Sequence, residues 1–330
     1  MKIIAIVNGG FSVPSLRALK NSRHELVATI VMPIHTKYFG RKVCMSPGRE
    51  MAQSFMPEIP MFAPEDINSI EGITLLKSFN ADLIFICDYG KILSKEVLLT
   101  TKYGGINLHG SLLPKYRGAA PINRAIQAGE REIGVSVIFI EPKVDAGPIV
   151  AKASYHPKLT ETAIEIELNL AQMGAPLVIE AIDNIDANTI EFMPQNTLDS
   201  SKAPKIRKEE GRIDWSRACD TIIDLFRAFQ PWPRTYSYWA SQQNIDGTPL
   251  RVILGPFSKL SKQSEKNFCD FEILSRVEVG TVVYVSKEGF GIKAGDGVLN
   301  VLSIQPSGKK CMSSSAFLQG YRLQVGDRFY

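Results

Sequence analysis

The stretch Gly105-Ile106-Asn107-Leu108-His109-Gly110-Ser111-Leu112-Leu113-Pro114 decides how this chain is read. Gly105–His109 is apolar apart from Asn107 and His109 and has the character of a buried strand. In a strand, residues two apart project from the same face. An amide and an imidazole therefore share one face at the strand's carboxyl end. Polar side chains in such a place need partners or a task. The Gly/Ser/Pro turn that follows stops the strand abruptly, which points the pair at a cleft. A hydrogen-bonded buried pair would satisfy the same spacing, so the surrounding sequence has to decide.

On the amino-terminal side, short apolar runs alternate with helical stretches. Ile3–Val7 reads as a strand, Val13–Lys20 as a helix and Glu25–Val31 as a strand. Residues 32–47 form a polar, basic loop that carries Lys37, Arg41 and Lys42. Helical pattern returns over Arg49–Phe55 and within Asp66–Asn80, and Asp82–Cys87 is a further strand. On the carboxyl side, Pro121–Ala128 is a helix with proline in its first turn. Gly134–Ile140 and Ile149–Ser154 are strands, and Thr160–Asn184 is a long helix with a capping pattern at its start. Strands alternating with helices predict an α/β domain built on a parallel sheet. Ligands of such sheets bind at the carboxyl ends of strands, where Asn107 and His109 fall.

A chain of 330 residues exceeds one ordinary core, so two domains are expected. Residues 191–211 have little apolar periodicity and are rich in Ser, Pro, Lys and Glu, as a linker would be. Ile213–Phe229 has a helical pattern that stops at Gln230-Pro231-Trp232-Pro233. Beyond it, Leu250–Leu254, Gly280–Val285, Gly289–Lys293 and Leu299–Ile304 are β-like, with turn signals such as Asp246-Gly247 between them. A small β-barrel fits this pattern.

Hydrophobic residues make up 45% of the chain and charged residues 22%, the balance of a water-soluble globular protein. No run approaches membrane-spanning length. The opening Met1–Val7 is too short an apolar run for a leader and reads better as a first strand. The five cysteines are scattered, odd in number and without CxxC spacing. That usage suits a reducing cytoplasm and supports neither a zinc site nor a disulfide framework. The four histidines lack metal-ligand spacing, so metal-free chemistry is favoured. Net charge is only +4, but residues 201–330 hold 19 Lys/Arg against 13 Asp/Glu. A basic second half is compatible with a polyanionic partner and equally with an ordinary solvated surface. No long exposed apolar helix face stands out, so a monomer is expected.

Val144-Asp145-Ala146-Gly147-Pro148 follows the strand Gly134–Ile140. If that strand neighbours the motif strand, Asp145 comes near His109. An Asp beside a His orients the imidazole and raises its basicity. An Asn amide and an imidazole N–H can donate to a developing oxyanion. No GxSxG nucleophile elbow is present. The set therefore suits attack by an external nucleophile on a carbonyl. Taken alone, Asp145 is more simply a turn residue ahead of glycine.

Together these residues resemble the folate-dependent formyltransferases. The matching elements are Asn107 and His109, Ser111–Pro114, Arg117-Gly118 with Pro121, and Asp145 with Gly147, in that order. Lys208–Trp215, Ala228–Pro233 and Gln305–Met312 are similar to the branch of that family that formylates methionyl-tRNA. The resemblance implies a Rossmann-like catalytic domain over 1–188, a basic linker over 189–206 and an OB-like tRNA-binding domain over 207–330. It implies transfer of a formyl group from 10-formyltetrahydrofolate to initiator Met-tRNA. Asn107, His109 and Asp145 would be catalytic. Ser111, Leu112, Leu113 and Pro114, with the backbone around Tyr89, Gly90 and Ile92, would line the folate site. Arg41, Lys42, Lys205, Arg207, Lys208, Lys309 and Lys310 would contact tRNA.

Three places depart from the family pattern. The first turn reads Asn8-Gly9-Gly10-Phe11 in place of Gly-Thr-Pro-x-Phe, Phe39 precedes the loop glycine where Arg is usual, and Asp88 replaces a small residue. Rival readings are an N-formyltransferase acting on an amino-sugar nucleotide, a hydrolase of the same folate, and a non-enzymatic RNA-binding protein. The last would have no need of Asn107, His109 and Asp145 together.

Overall fold

The computed structural model describes residues 1–34, 45–240, 248–260 and 276–330. They divide into two compact units. The first comprises residues 1–125, 131–159 and 165–205; the second comprises 206–330 with 126–130 and 160–164. No helix among the described residues is long and apolar enough to cross a membrane.

Seven strands form the sheet of the first unit: β1 (Lys2–Val7), β2 (Glu25–Ile30), β3 (Met61–Phe62), β4 (Leu83–Cys87), β5 (Gly105–His109), β6 (Ile133–Phe139) and β7 (Ile149–Tyr155). Their order is β3-β2-β1-β4-β5-β6-β7. The first five are parallel. All five residues of β4 are buried, as expected of a parallel strand covered on both faces. The last two strands depart from the all-parallel expectation, with β6 antiparallel to β5 and β7 antiparallel to β6. The connection 140–148 is too short for a parallel crossover, which needs about a dozen residues or more.

The helices of this unit are α1 (Val13–Lys20), α2 (Pro47–Phe55), α3 (Ile70–Ser78), α4 (Lys95–Leu98), α5 (Pro121–Gln127) and α6 (Ala163–Asp186). From β1 the chain builds outward through β2 and β3, then returns to place β4 on the other side of β1. Strand order thus reverses between β1 and β4, and a crevice opens at the carboxyl ends of strands at such a point. The turns after β1, β4 and β5 carry Asn8–Phe11, Asp88–Leu93 and Gly110–Pro114. Gly174 of α6 leaves no space for a side chain beside Leu108. That contact lies on the face of β5 opposite Asn107 and His109.

Residues 189–206 are described with the first unit as far as Lys205. Met193 and Ile149 exchange two backbone hydrogen bonds at 2.9 Å. Lys202 bridges Arg117, with Arg117 N–H donating to Ser201 and Ala203 N–H donating to the Arg117 carbonyl.

The second unit has α7 (Cys219–Ala228), α8 (Ser314–Gly320) and two antiparallel sheets. One sheet contains β10 (Phe257–Lys259), β11 (Val282–Val285), β12 (Phe290–Lys293) and β13 (Val298–Val301). The other contains β8 (Tyr236–Ala240), β9 (Leu250–Leu254), β14 (Ser303–Pro306), β15 (Met312–Ser313) and β16 (Arg328–Phe329). They enclose one core that includes Trp215, Val252, Phe290, Phe317 and Phe329. Two expectations are corrected here. The helix begins at Cys219 rather than Ile213, because Ile213 and Trp215 alternate inward while Arg212 and Asp214 face out. That is period two, and Ile213 N–H bonds the Tyr236 carbonyl. The single strand expected over Leu299–Ile304 is two strands in different sheets, broken at the exposed Leu302.

Candidate active site

Asn107 and His109 project from one face of β5 into a cleft of about 510 Å³, within the size range of small-molecule sites. The β5–β6 register sets His109 opposite Ser136 and Ile106 opposite Phe139. The end of β6 is therefore displaced from His109, and the loop 140–148 returns to bring Asp145 back to it. Asp145 Oδ2 stands 3.8 Å from His109 Nδ1. The Asn107 amide has no hydrogen-bond partner among the described residues and borders the same cleft. The three residues expected to act together are thus brought together.

The other edge of the imidazole is fixed by the chain. His109 Nε2 lies 3.0 Å from the Tyr116 carbonyl oxygen. A carbonyl only accepts, so Nε2 carries a proton and Nδ1 is the edge turned to Asp145. Asp145 Oδ2 also accepts from Gly118 N–H at 2.9 Å. Tyr116 (φ 61°), Gly118 (φ 128°) and Asp145 (φ 50°) all have left-handed backbone, a conformation that must be held by its surroundings. A side chain at Gly147 would overlap the Phe139 carbonyl, so glycine is required where this loop crosses β6.

The far wall of the cleft is formed by the turns after β1 and β4. Asp88 (φ 56°) and Gly90 (φ 74°) are both left-handed. Asp88 is exposed as a residue and opens onto the cleft, while its carboxyl lies in the recess beside Gly9 and near Glu167. Desolvation there, with repulsion from Glu167 of α6, pushes it up to about 7 against the pull of the Phe11 backbone N–H. Burial raises the Glu167 carboxyl too. Tyr89 turns its ring into the core beside Ile4 and Ile86, and burial, with Asp66 adding, pushes its phenol up to about 12. Tyr89 therefore meets the cleft through its backbone. Among the described residues no hydrogen bond uses the N–H groups of Tyr89, Gly90, Lys91 or Ile92, and the Ile92 side chain is 67% exposed at the rim.

The turn Ser111–Pro114 does not line this cleft. Ser111 Oγ donates to the Lys115 carbonyl at 2.7 Å. Ser136 Oγ donates to the Ser111 carbonyl at 2.8 Å and accepts from Leu113 N–H at 3.1 Å. Leu113 packs with Ile138 and Ile149. The turn is thereby tied to β6, behind His109. Lys205, Arg207, Lys208, Lys309 and Lys310 are all exposed. Phe39, Arg41 and Lys42 lie outside the described residues. Among the described residues no group of three or more His, Cys, Asp or Glu is placed to hold a metal ion. The sequence reading did not foresee Gln195, which reaches the Asp145 loop from the stretch taken as linker; no periodicity marks it.

An amide, an imidazole and a carboxylate thus meet at the carboxyl end of β5, one strand away from the switch point of a parallel-rich sheet, and the likeness to known proteins makes the chain a formyl-transferring enzyme. Residues 1–182 match the family described as formyl transferase, and residues 205–322 match the formyl transferase C-terminal domain. The methionyl-tRNA formyltransferase of Rhodopirellula baltica is 36% identical over 338 residues, covering 99% of this chain and 96% of that protein. That of Moorella thermoacetica is 34% identical, with 99% and 98% covered. The chain belongs to the methionyl-tRNA formyltransferase family. A solved N-formyltransferase from Helicobacter canadensis, in complex with folinic acid and dTDP-3-aminofucose, superposes with a TM-score of 0.62 at 20% identity, covering 91% of this chain and 98% of that one. At that identity the likeness speaks to the fold.

Proposed function

We propose that this enzyme transfers the formyl group of 10-formyltetrahydrofolate to the α-amino group of methionine on initiator tRNA, yielding N-formylmethionyl-tRNA for translation initiation. The observation that carries this reading is the meeting of Asn107, His109 and Asp145 in one cleft, in a chain whose full-length relatives carry that name.

The lining of the cleft supports a folate donor. Unused backbone N–H groups over 89–92 sit beside apolar side chains such as Ile86 and Leu93, a match for the flat, polar-edged ring of a pterin. Bound there, 10-formyltetrahydrofolate supplies a formyl carbon on N10 to a neutral amine, and the C–N10 bond breaks as the new amide forms. Asn107 Nδ2 donates to the formyl oxygen as it gains charge, a contribution typically worth about 10²–10³ in rate. His109 Nδ1, the ring nitrogen that Tyr116 does not engage, is the edge that receives the proton of the attacking amine. Asp145 stabilises the positive charge that builds on the imidazole when it takes the amine proton, and that proton passes to the departing N10, so His109 ends the cycle neutral. The folate wall is the Tyr89–Ile92 backbone, and Ser111–Pro114 support His109 from behind. Lys205, Arg207, Lys208, Lys309 and Lys310 are exposed cations for tRNA phosphates, joined in this proposal by Arg41 and Lys42.

One assay tests the reading. The protein receives 10-formyltetrahydrofolate with charged initiator tRNA, elongator Met-tRNA, an amino-sugar nucleotide or no acceptor, and the formyl group is followed. Label on initiator Met-tRNA is expected. Label on the sugar alone, formate released without acceptor, or tRNA binding without turnover would each replace the reading with a rival.

A further inference from the structure

Gln195 has every hydrogen-bonding position of its side chain engaged. Its Oε1 accepts from Arg117 Nε at 3.0 Å and from Arg117 Nη2 at 2.6 Å. Its Nε2 donates to the Asp145 carbonyl at 2.9 Å and to the Gly147 carbonyl at 2.7 Å. A guanidinium only donates and a carbonyl only accepts, so only one orientation of this amide satisfies all four contacts. A flipped amide would lose all four.

The two segments it joins are the two that hold the imidazole and the carboxylate. Residues 116–118 present the Tyr116 carbonyl to His109 Nε2 and the Gly118 N–H to Asp145 Oδ2. Residues 145–147 carry Asp145 itself, on left-handed backbone whose carbonyl is one of the two that Gln195 grips. Gln195 is itself anchored on both sides. Met193 is paired to Ile149 before it, and Ser201 and Ala203 are bonded to Arg117 after it.

The geometry points to Gln195 as a positioning residue that fixes Asp145 against His109 by clamping the Asp145–Gly147 loop to Arg117. It is not among the residues that line the cleft, and its effect on turnover rests on the formyl-transfer reading above.

Two variants of the full chain test this. Gln195→Ala releases both segments. Gln195→Glu keeps an acceptor for Arg117 but offers no N–H to the two carbonyls, which isolates the grip on the Asp145 loop. Both are expected to lose about ten- to a hundredfold in kcat, with KM for donor and acceptor within about threefold of wild type. The pH profile of kcat should change shape in both, which a general loss of stability would not cause. The His109 imidazole nitrogen resonances, assigned by their loss in His109→Asn, should move in both variants without any substrate present. That measurement separates the two ideas. A wild-type protein that fails to formylate Met-tRNA sinks the functional reading, while the His109 signals still report on the clamp. Full kcat in Gln195→Glu, a folded Gln195→Ala that loses only melting temperature, or unmoved His109 resonances would each overturn the proposal.

Discussion

Gly9 and Asp88 occupy each other's space: a side-chain carbon on Gly9 would overlap Asp88 Oδ2. The turn after β1 and the residue after β4 both depart from the family pattern, and the structure makes them one feature. The bare backbone of the first leaves room for the carboxylate of the second. Gly9→Ala is therefore expected to displace Asp88 and raise KM for the folate donor. In the double variant with Asp88→Ala, most of that loss should return. A double-mutant cycle on donor affinity should give a coupling of about 0.5–3 kcal/mol; additive effects would mean the two sites are independent.

The raised carboxyl of Asp88 predicts a pH-dependent contribution to stability, damped by solvent because the residue is exposed to the cleft. Its carboxyl is raised from an ordinary 3.8 to about 7 by desolvation first and Glu167 second. Between those values the native state holds a proton that the unfolded chain has released. Stability contributed at this position therefore falls as pH rises from 3.8 and is fully lost above about 7. Asp88→Asn removes the penalty. Its melting temperature should equal that of wild type near pH 4 and exceed it by a growing margin toward about pH 7.5. A constant margin across that range would contradict the argument.

The roles of Asn107 and His109 separate from their structural contribution in a binding measurement. Asn107→Ala should cost about 10²–10³ in kcat through loss of one oxyanion donor. His109→Ala should reduce transfer further and leave tRNA affinity near wild type. Filter binding of Met-tRNA, read beside turnover, checks both. Parallel loss of affinity and turnover would make His109 a packing residue.

Ser136 ties the Ser111–Pro114 turn to β6 through two buried hydrogen bonds. Ser136→Ala leaves the Leu113 N–H without its partner, at a cost of about 1–3 kcal/mol. Denaturant unfolding should show that loss. Because the turn stands off the cleft, KM for the donor should stay unchanged. A raised KM would restore this turn to the folate wall, where the sequence resemblance put it.

Much of this was legible from the residues. Strands β1 and β4 are near-continuous apolar runs, and their lack of alternation reports burial on both faces. Asn107 and His109 stood out because polar groups rarely end such runs without cause. Asp145 needed two long-range facts, the pairing of β6 with β5 and the return path of its loop, and only the first was inferable from pattern. The Ile213–Phe229 stretch misled because aromatic and aliphatic residues are dense enough to satisfy either period. Ile213 is paired, and the Trp215 indole held through Ser237, by a strand that arrives more than twenty residues later, Tyr236–Ala240. Gln195 was invisible for a different reason. Its role depends wholly on carbonyls and a guanidinium that other segments bring to it.

The route of the chain past Gln195 also bears on dissection of the enzyme. A catalytic fragment ended at Asn188, where the sequence suggests a boundary, would retain all seven strands of the first sheet and still lack Met193, Gln195, Ser201 and Ala203. By the clamp proposed for Gln195, it would keep its sheet and lose the hold on Asp145. The compact unit that carries the cleft runs to Lys205, so this enzyme's modularity has to be sought beyond the stretch that looks like a connector.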